Sequence, residues 1–299
     1  MKYSIITINF NNRSGLHNTI ESVIHQSYKD YEFIIIDGGS TDGSVNVIKE
    51  HQQHITYWIS EKDNGIYNAM NKGIKAAHGD YLCFINSGDM LYNRSVLEQS
   101  LPYLRDDIVH GIAENQNSPV SPLCLIKVPN RTELFSPTLH HQACMFKREL
   151  FNNSLYDEHY KIVSDWKFYI EQILLYDCSF SRMPIKVAMC EGGGISEVQN
   201  LLGINERIDV LEKTIKLLKE KNDYKKNEKL LLHLMFTSKQ RLLIDKEIRN
   251  IDKYIHTFPE SNDCYKDYPF SKKQKLLFFL AKHRMTSLLK ILLSPDYRI

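Results

Sequence analysis

The sequence has 299 residues, of which 42% are hydrophobic and 25% charged, with a formal charge of +2. That is the composition of an ordinary soluble globular protein with room for one large domain and an appendage, and no stretch is long and apolar enough to span a membrane. The near-neutral total hides a split: residues 1–204 carry about 17 Lys/Arg against 23 Asp/Glu, and residues 205–299 about 21 against 13. The six cysteines (Cys83, Cys124, Cys144, Cys178, Cys190 and Cys264) are scattered without a C-x-x-C pair, which predicts free thiols in a reducing compartment. The chain opens directly on the apolar run Tyr3–Ile8, too short and wrongly flanked for a signal peptide, so a cytoplasmic location is expected.

Residues 3–8 read as a first strand, followed by a polar loop and a helix over about Arg13–Gln26, where Leu16, Ile20, Val23 and Ile24 recur at helical spacing. Phe33–Ile36 is a second strand without polar alternation, as expected of a strand covered on both faces. A helix through Val45, Ile48 and Lys49, a short strand Tyr57–Ile59, a helix Gly65–Ala77 and a strand Tyr81–Ile85 follow. This alternation predicts a parallel, right-handed α/β sheet. Between Asp106 and Lys147, prolines at 119, 122, 129 and 137 break the pattern into mixed-sheet and loop pieces. Lys161–Tyr176 reads as helix and Phe180–Met189 as a last strand, and the chain from about Asn200 is Lys- and Leu-rich helix.

Several stretches carry candidate chemistry. Asn86-Ser87-Gly88-Asp89 lies directly at the carboxyl end of a strand, where ligands bind in open α/β sheets. Asp89 there suits a divalent cation bridging to phosphate oxygens, or a helix cap. Asp37-Gly38-Gly39-Ser40-Thr41-Asp42 follows a strand and opens a helix; its glycines admit close backbone approach, and a helix N-terminus favours negative charge. It is not G-x-G-x-x-G, which argues against a nicotinamide enzyme. Asp37 suits a ring N–H such as that of uracil, or a capping turn. Asp63 is a helix-cap candidate. Tyr67, Asn71 and Lys72 place polar groups on a helix beside the first strand ends, with Lys72 a diphosphate contact or a solvated side chain. Asp165 begins a helix beside Trp166, whose neighbourhood is expected to raise its pKa towards that of a general base; a cap is the alternative. His140 and His141 precede an apolar strand, Ala143–Phe146, and adjacent strand residues face opposite ways, so they are not a metal pair. Gly192-Gly193-Gly194 reads as a hinge loop.

Taken in order, Thr7-x-Asn9-Phe10-Asn11, Asp37-Gly38-Gly39-Ser40-Thr41-Asp42-Gly43-Ser44, Asn86-Ser87-Gly88-Asp89 and Ser164-Asp165-Trp166 resemble the family 2 inverting glycosyltransferases of GT-A fold. The segment from Trp58-Ile59-Ser60-Glu61 through Ala69-Met70-Asn71-Lys72-Gly73 is similar to the branch that builds bacterial capsule, exopolysaccharide and lipopolysaccharide. The resemblance covers about residues 3–197. It implies a Rossmann-like, mostly parallel sheet flanked by helices over residues 1–200; the change of composition sets off a basic helical extension over 201–299. It also implies that Asp37 binds the nucleobase of a nucleotide-sugar, UDP-linked by preference, and that Asp89 ligates Mn²⁺ or Mg²⁺. Thr7, Asn9, Gly39, Asp63, Tyr67, Asn71, Lys72, Asn86 and Ser87 are the other expected donor contacts, and His141, Gln142 and Trp166 the acceptor or donor-sugar contacts. Asp165 would take the proton of the acceptor hydroxyl.

The family's metal motif usually reads Asp-x-Asp-Asp or Asn-x-Asp-Asp. Here Gly88 takes the third position, so a second carboxylate is missing while the last acid is kept. A sugar-nucleotide-binding module without catalysis would suit Gly88 but would be expected to lack Asp165 as well. A nucleotidyltransferase would want a Gly-rich, basic loop after the first strand, where Asn9-Phe10-Asn11-Asn12-Arg13 stands. In the tail, Ser271–Leu293 reads as a basic amphipathic helix suited to an anionic membrane surface and hence to a polyprenyl-linked acceptor. Packing on the enzyme's own core is one alternative, and a homodimer contact through the helices near Leu230–Leu234 and Leu242–Ile244 another. No nucleic-acid partner is expected.

Overall fold

A computed structural model describes residues 1–115, 140–192 and 200–221. All belong to one compact unit, Met1–Ser238. The proline-bearing stretch 116–139, most of the glycine loop, Cys124, Cys264 and the basic tail with its membrane and dimer readings lie outside the described residues.

The strands β1 (Tyr3–Asn9), β2 (Tyr31–Asp37), β3 (Tyr57–Ser60) and β4 (Tyr81–Phe84) run parallel in the order β3-β2-β1-β4. Side chains alternate across a strand, and here both sets are apolar, so both faces need cover. On one face Tyr3, Ile5, Phe33 and Ile35 meet Leu16, Ile20 and Val23 of α1 (Arg13–Ile24). On the other, Ile6, Ile34 and Ile36 meet Met70 and Ile74 of α3 (Ile66–Ala76). A Cβ on Gly73 would overlap the Ile6 side chain, which is what lets α3 lie so close to the sheet. The helix α2 (Ser44–Glu50) follows the Asp37 turn.

The sheet then changes character. Antiparallel β7 (Cys144–Lys147) pairs with β4, and β6 (Ile108–Asn115) pairs antiparallel with β7. The strand β8 (Phe180–Cys190) runs parallel to β6, and the two-residue β5 (Met90–Leu91) closes the edge antiparallel to β8. The short helix α4 (Val96–Ser100) lies between β5 and β6. The sequence pattern hides β6 because His110 and Gly111 interrupt its apolar run. His140 and His141 are not strand residues: His141–Ala143 form a 3₁₀ turn ahead of β7.

The helix α5 (Ser164–Leu174) starts three residues later than its periodicity predicts, because the Glu206 carboxylate accepts the N–H groups of Lys161, Ile162 and Val163. Glu206 belongs to α6 (Asn200–Glu220), whose Val210, Leu211 and Leu218 pack with Trp166, Ile170 and Ile173 of α5. The compact unit therefore continues past residue 200, where composition alone had set a boundary. No helix among the described residues is long and apolar enough to cross a membrane. Cys83 and Cys144 are buried free thiols, as expected; Cys190 is buried too, and free Cys178 is partly exposed.

His110 is buried with no hydrogen-bond partner on either ring nitrogen among the described residues. Burial, with the positive charges of Arg182 and His140, pushes its pKa down from 6.5 to about 3. The folded state thus refuses a proton that the unfolded chain takes, so stability falls as pH drops from about 6.5 towards 3. Urea midpoints at pH 7 and pH 5 should fall further for the wild type than for His110→Phe. Equal falls would mean that His110 is free to protonate in place.

Candidate active site

Strand direction decides which residues meet. The carboxyl ends of β1, β2 and β4 share one edge of the sheet. Because β7 is antiparallel to β4, the turn before it opens on that edge, and β8, parallel to β6, ends there too. Topology thus gathers Asn9, Asp37, Asn86–Asp89, His141–Gln142 and Glu191 at one mouth.

Asp37 ends β2 fully buried. Its Oδ1 accepts from Asn9 Nδ2 (2.7 Å) and Ser40 Oγ (2.6 Å). Its Oδ2 accepts from Ser60 Oγ (2.6 Å) and from the Ser40 and Gly39 N–H groups (2.9 and 3.2 Å). Burial pushes its pKa up, but these donors outweigh it and hold the carboxyl below its ordinary value. Five donors on one carboxylate make Asp37 the anchor of its turn. Beside it lie Asp63, whose Oδ1 accepts from the Gly65 N–H (2.9 Å), and the Phe10 ring; both approach Gly38. Phe10 is 64% exposed, an aromatic face at the mouth that sequence reading passed over because it carries no polar chemistry.

Asp89 follows β4 and precedes β5. Its Oδ2 accepts from Gln142 Nε2 (3.0 Å) and its Oδ1 from the Glu191 N–H (3.2 Å). Burial, aided by the Glu191 charge, raises its pKa above the ordinary value. Gln142 is thereby a holder of this carboxylate. Two buried carbonyl oxygens at the same edge, Asn9 Oδ1 and Asn86 Oδ1, have no hydrogen-bond partner among the described residues. Hard oxygen donors of this kind fit Mn²⁺ or Mg²⁺. Among the described residues, the group of three His, Cys, Asp or Glu side chains with ligand atoms within 4.8 Å is His17, Glu21 and His51, without Asp89. A cation at Asp89 would therefore need further oxygens from a bound phosphate group.

Asp165, second residue of α5, is 19% exposed. His141 Nδ1–H donates to its Oδ2 (3.0 Å), and the Trp166 N–H donates to Oδ1 (2.8 Å). The Tyr67 hydroxyl lies 2.9 Å from Oδ1 and 2.8 Å from the Ile162 carbonyl oxygen. With Nδ1 committed as donor, His141 Nε2 is the acceptor for Asn86 Nδ2 (3.2 Å). Burial pushes the Asp165 pKa up, but the hydrogen bonds from His141, the Trp166 N–H and Tyr67 hold it below the ordinary value. The expected upward shift is thus overturned, because Trp166 brings a backbone donor and not an apolar lid. Its indole is 6% exposed, packed among Tyr160, Val163 and Ile170 with Arg207 over the ring.

Other expected donor contacts have partners within the chain. Thr7 is buried and donates to the Ile85 carbonyl (2.7 Å). Asn71 is buried and clamps the 156–158 segment, donating to the Tyr156 carbonyl and Glu158 while accepting the Tyr156 N–H. Tyr67 stands behind Asp165, 7% exposed. Lys72 pairs with Glu61 (2.6 Å) in a cleft also lined by Glu32, Tyr57, Lys75 and His78. Ser87 lends its carbonyl to Asn12 Nδ2 (3.2 Å). Sequence reading missed Asn12 and Glu191; both reach the mouth through contacts that only the fold supplies.

A mostly parallel sheet that turns antiparallel beyond β4 and collects its carboxylates at one edge is the GT-A glycosyltransferase architecture. The chain belongs to glycosyl transferase family 2, whose family model matches residues 4–154. A glycosyltransferase of Mycobacterium tuberculosis (strain ATCC 25618 / H37Rv) is 43% identical over 102 residues, 34% of this chain and 39% of that protein. The match thus spans about two fifths of that relative's length. Crystal structures share the fold at low identity. Staphylococcus aureus TarS 1-349 in complex with UDP-GlcNAc superposes with a TM-score of 0.69 at 15% identity, covering 98% of this chain and 90% of that one. The mannosyltransferase PcManGT from Pyrobaculum calidifontis, in complex with GDP-Man and Mn²⁺, does so with 0.57 at 14% identity, covering 99% and 88%.

Proposed function

We propose that this chain transfers a hexose or N-acetylhexosamine from a UDP-sugar to a saccharide hydroxyl, with inversion at the anomeric carbon. The observation that carries the proposal is the adjacent pair His141 and Gln142, one bonded to Asp165 and the other to Asp89. A single turn thereby sets a proton acceptor beside the carboxylate that would face the donor's diphosphate.

The chain's own groups divide the work. Phe10 offers a face for the base, and Asp37 anchors the turn around it. Asp165, kept ionised by its hydrogen bonds, keeps a free lone pair on Oδ2. It takes the acceptor's O–H proton as that oxygen bonds to the anomeric carbon and the bond to the diphosphate breaks. His141 positions Asp165 and is itself held by Asn86. Asp89, with the orphan oxygens of Asn9 and Asn86, would hold the cation. A bound Mn²⁺ or Mg²⁺ supplies positive charge to the diphosphate as it departs. The basic tail is proposed to keep the enzyme at an anionic membrane surface, where a polyprenyl-linked saccharide of a surface polysaccharide would be its acceptor.

A thermal-shift screen of UDP- and GDP-sugars with and without Mn²⁺ tests the reading, since a ligand that binds only the folded state raises the melting temperature with its occupancy. A Mn²⁺-dependent rise with a UDP-sugar is expected, and no rise with any nucleotide would overturn it. Asp37→Ala should weaken UDP more than it slows turnover at saturating donor, because it releases the turn around the base, and contacts to the base do not change during reaction. A loss confined to kcat would contradict that assignment.

A further inference from the structure

The Asn86–Asp89 turn brings one carboxylate to the mouth, and the position before it is glycine. Gly88 has φ +98°, a conformation that favours glycine, and a Cβ built on it would overlap the Glu191 carboxylate and lie 3.1 Å from Asn12 Nδ2. The space a side chain on the turn would fill is thus taken by an acid from another strand.

The placement is built into the sheet. β5 and β8 pair antiparallel, with Met90 opposite Met189 and Leu91 opposite Ala188. Continued outward by two residues, that register sets Gly88 opposite Glu191. The Glu191 N–H then donates to Asp89 Oδ1 (3.2 Å), so the backbone of one acid holds the carboxylate of the other. Asn12, which caps α1 through Gly15 N–H (3.1 Å), reaches Glu191 Oε2 at 3.4 Å. Neither Asp89 nor Glu191 has an ion-pair partner among the described residues, so neither charge is neutralised at the mouth by such a pair.

We infer that Glu191 is the second carboxylate of the divalent-cation site, delivered from the end of β8 into the notch that Gly88 leaves. The inference rests on the reading of Asp89 as a cation ligand. A lone carboxylate binds such a cation weakly, and a second oxygen donor from the chain would hold it before the donor's phosphates complete its coordination. Glycine at 88 is then a requirement of the arrangement, since any side chain there would push Glu191 out.

The test measures Mn²⁺ binding to the full chain, by the loss of the free-ion electron paramagnetic resonance signal, with and without UDP. Wild type is compared with Glu191→Gln and Asp89→Asn. Glu191→Gln is nearly isosteric at an exposed position, so its metal-free melting temperature should match the wild type. Its Mn²⁺ affinity should fall at least about tenfold, as expected for losing part of a metal's ligand environment. Wild-type Mn²⁺ affinity in Glu191→Gln, with loss in Asp89→Asn, would overturn the inference and leave Asp89 as the site. Equal, unaltered binding in both variants would overturn the reading of Asp89 as well.

Discussion

Asp165→Asn is expected to lower turnover by about 10²-fold or more while leaving donor affinity close to wild type. The geometry makes the replacement harsh for chemistry. The carboxylate accepts from His141 on Oδ2 and from Trp166 and Tyr67 on Oδ1. An amide offers one accepting oxygen, so its NH₂ must face a donor on one side, and it has no basic lone pair for the acceptor's proton. Neither Asp37 nor Asp89 is among the hydrogen-bond partners of this group. Steady-state kinetics with calorimetry of UDP binding separates the two roles; parallel loss of affinity and turnover would make Asp165 a structural cap. Because His141 acts through Asp165, adding His141→Ala to Asp165→Asn should cost much less than His141→Ala costs alone.

Asp89→Ala is expected to bring UDP affinity in the presence of Mn²⁺ down to its metal-free level. The substitution removes the acceptor of the Gln142 amide and of the Glu191 N–H, and with it the buried carboxylate of the mouth. Calorimetry of UDP with and without Mn²⁺ checks it. Unchanged metal-dependent affinity would move the cation elsewhere or show that none is used.

Much of this was legible from the chain alone, for a physical reason. β1 and β2 announce themselves because a strand covered on both faces needs an unbroken apolar run. Asp37 at the end of β2 is legible because a strand end and its turn are contiguous in sequence. What stayed hidden is what depends on distant partners. His141 meets Asp165 24 residues away and Asn86 55 residues away, and no local pattern reports either contact. Glu191 reaches Gly88 only through the β5–β8 register, and β5 is two residues long. The packing of Trp166 against α6 is likewise hidden, because an aromatic beside an acid looks the same whether it faces a cleft or another helix. Thr7 and Asn71 likewise have ligand-binding chemistry but spend it on the chain's own backbone.

The central claim is that the edge carrying Asp37, Asp89 and Asp165 displaces a nucleoside diphosphate from a sugar in a single inverting step. The most direct measurement follows the slow hydrolysis of UDP-α-sugars by the full chain with Mn²⁺, water standing in for the acceptor, using proton nuclear magnetic resonance. The account predicts that UDP and the β-anomer appear first, together, for at least one UDP-sugar, and that Asp165→Asn suppresses both. First appearance of the α-anomer, or wild-type rates in Asp165→Asn, would contradict it.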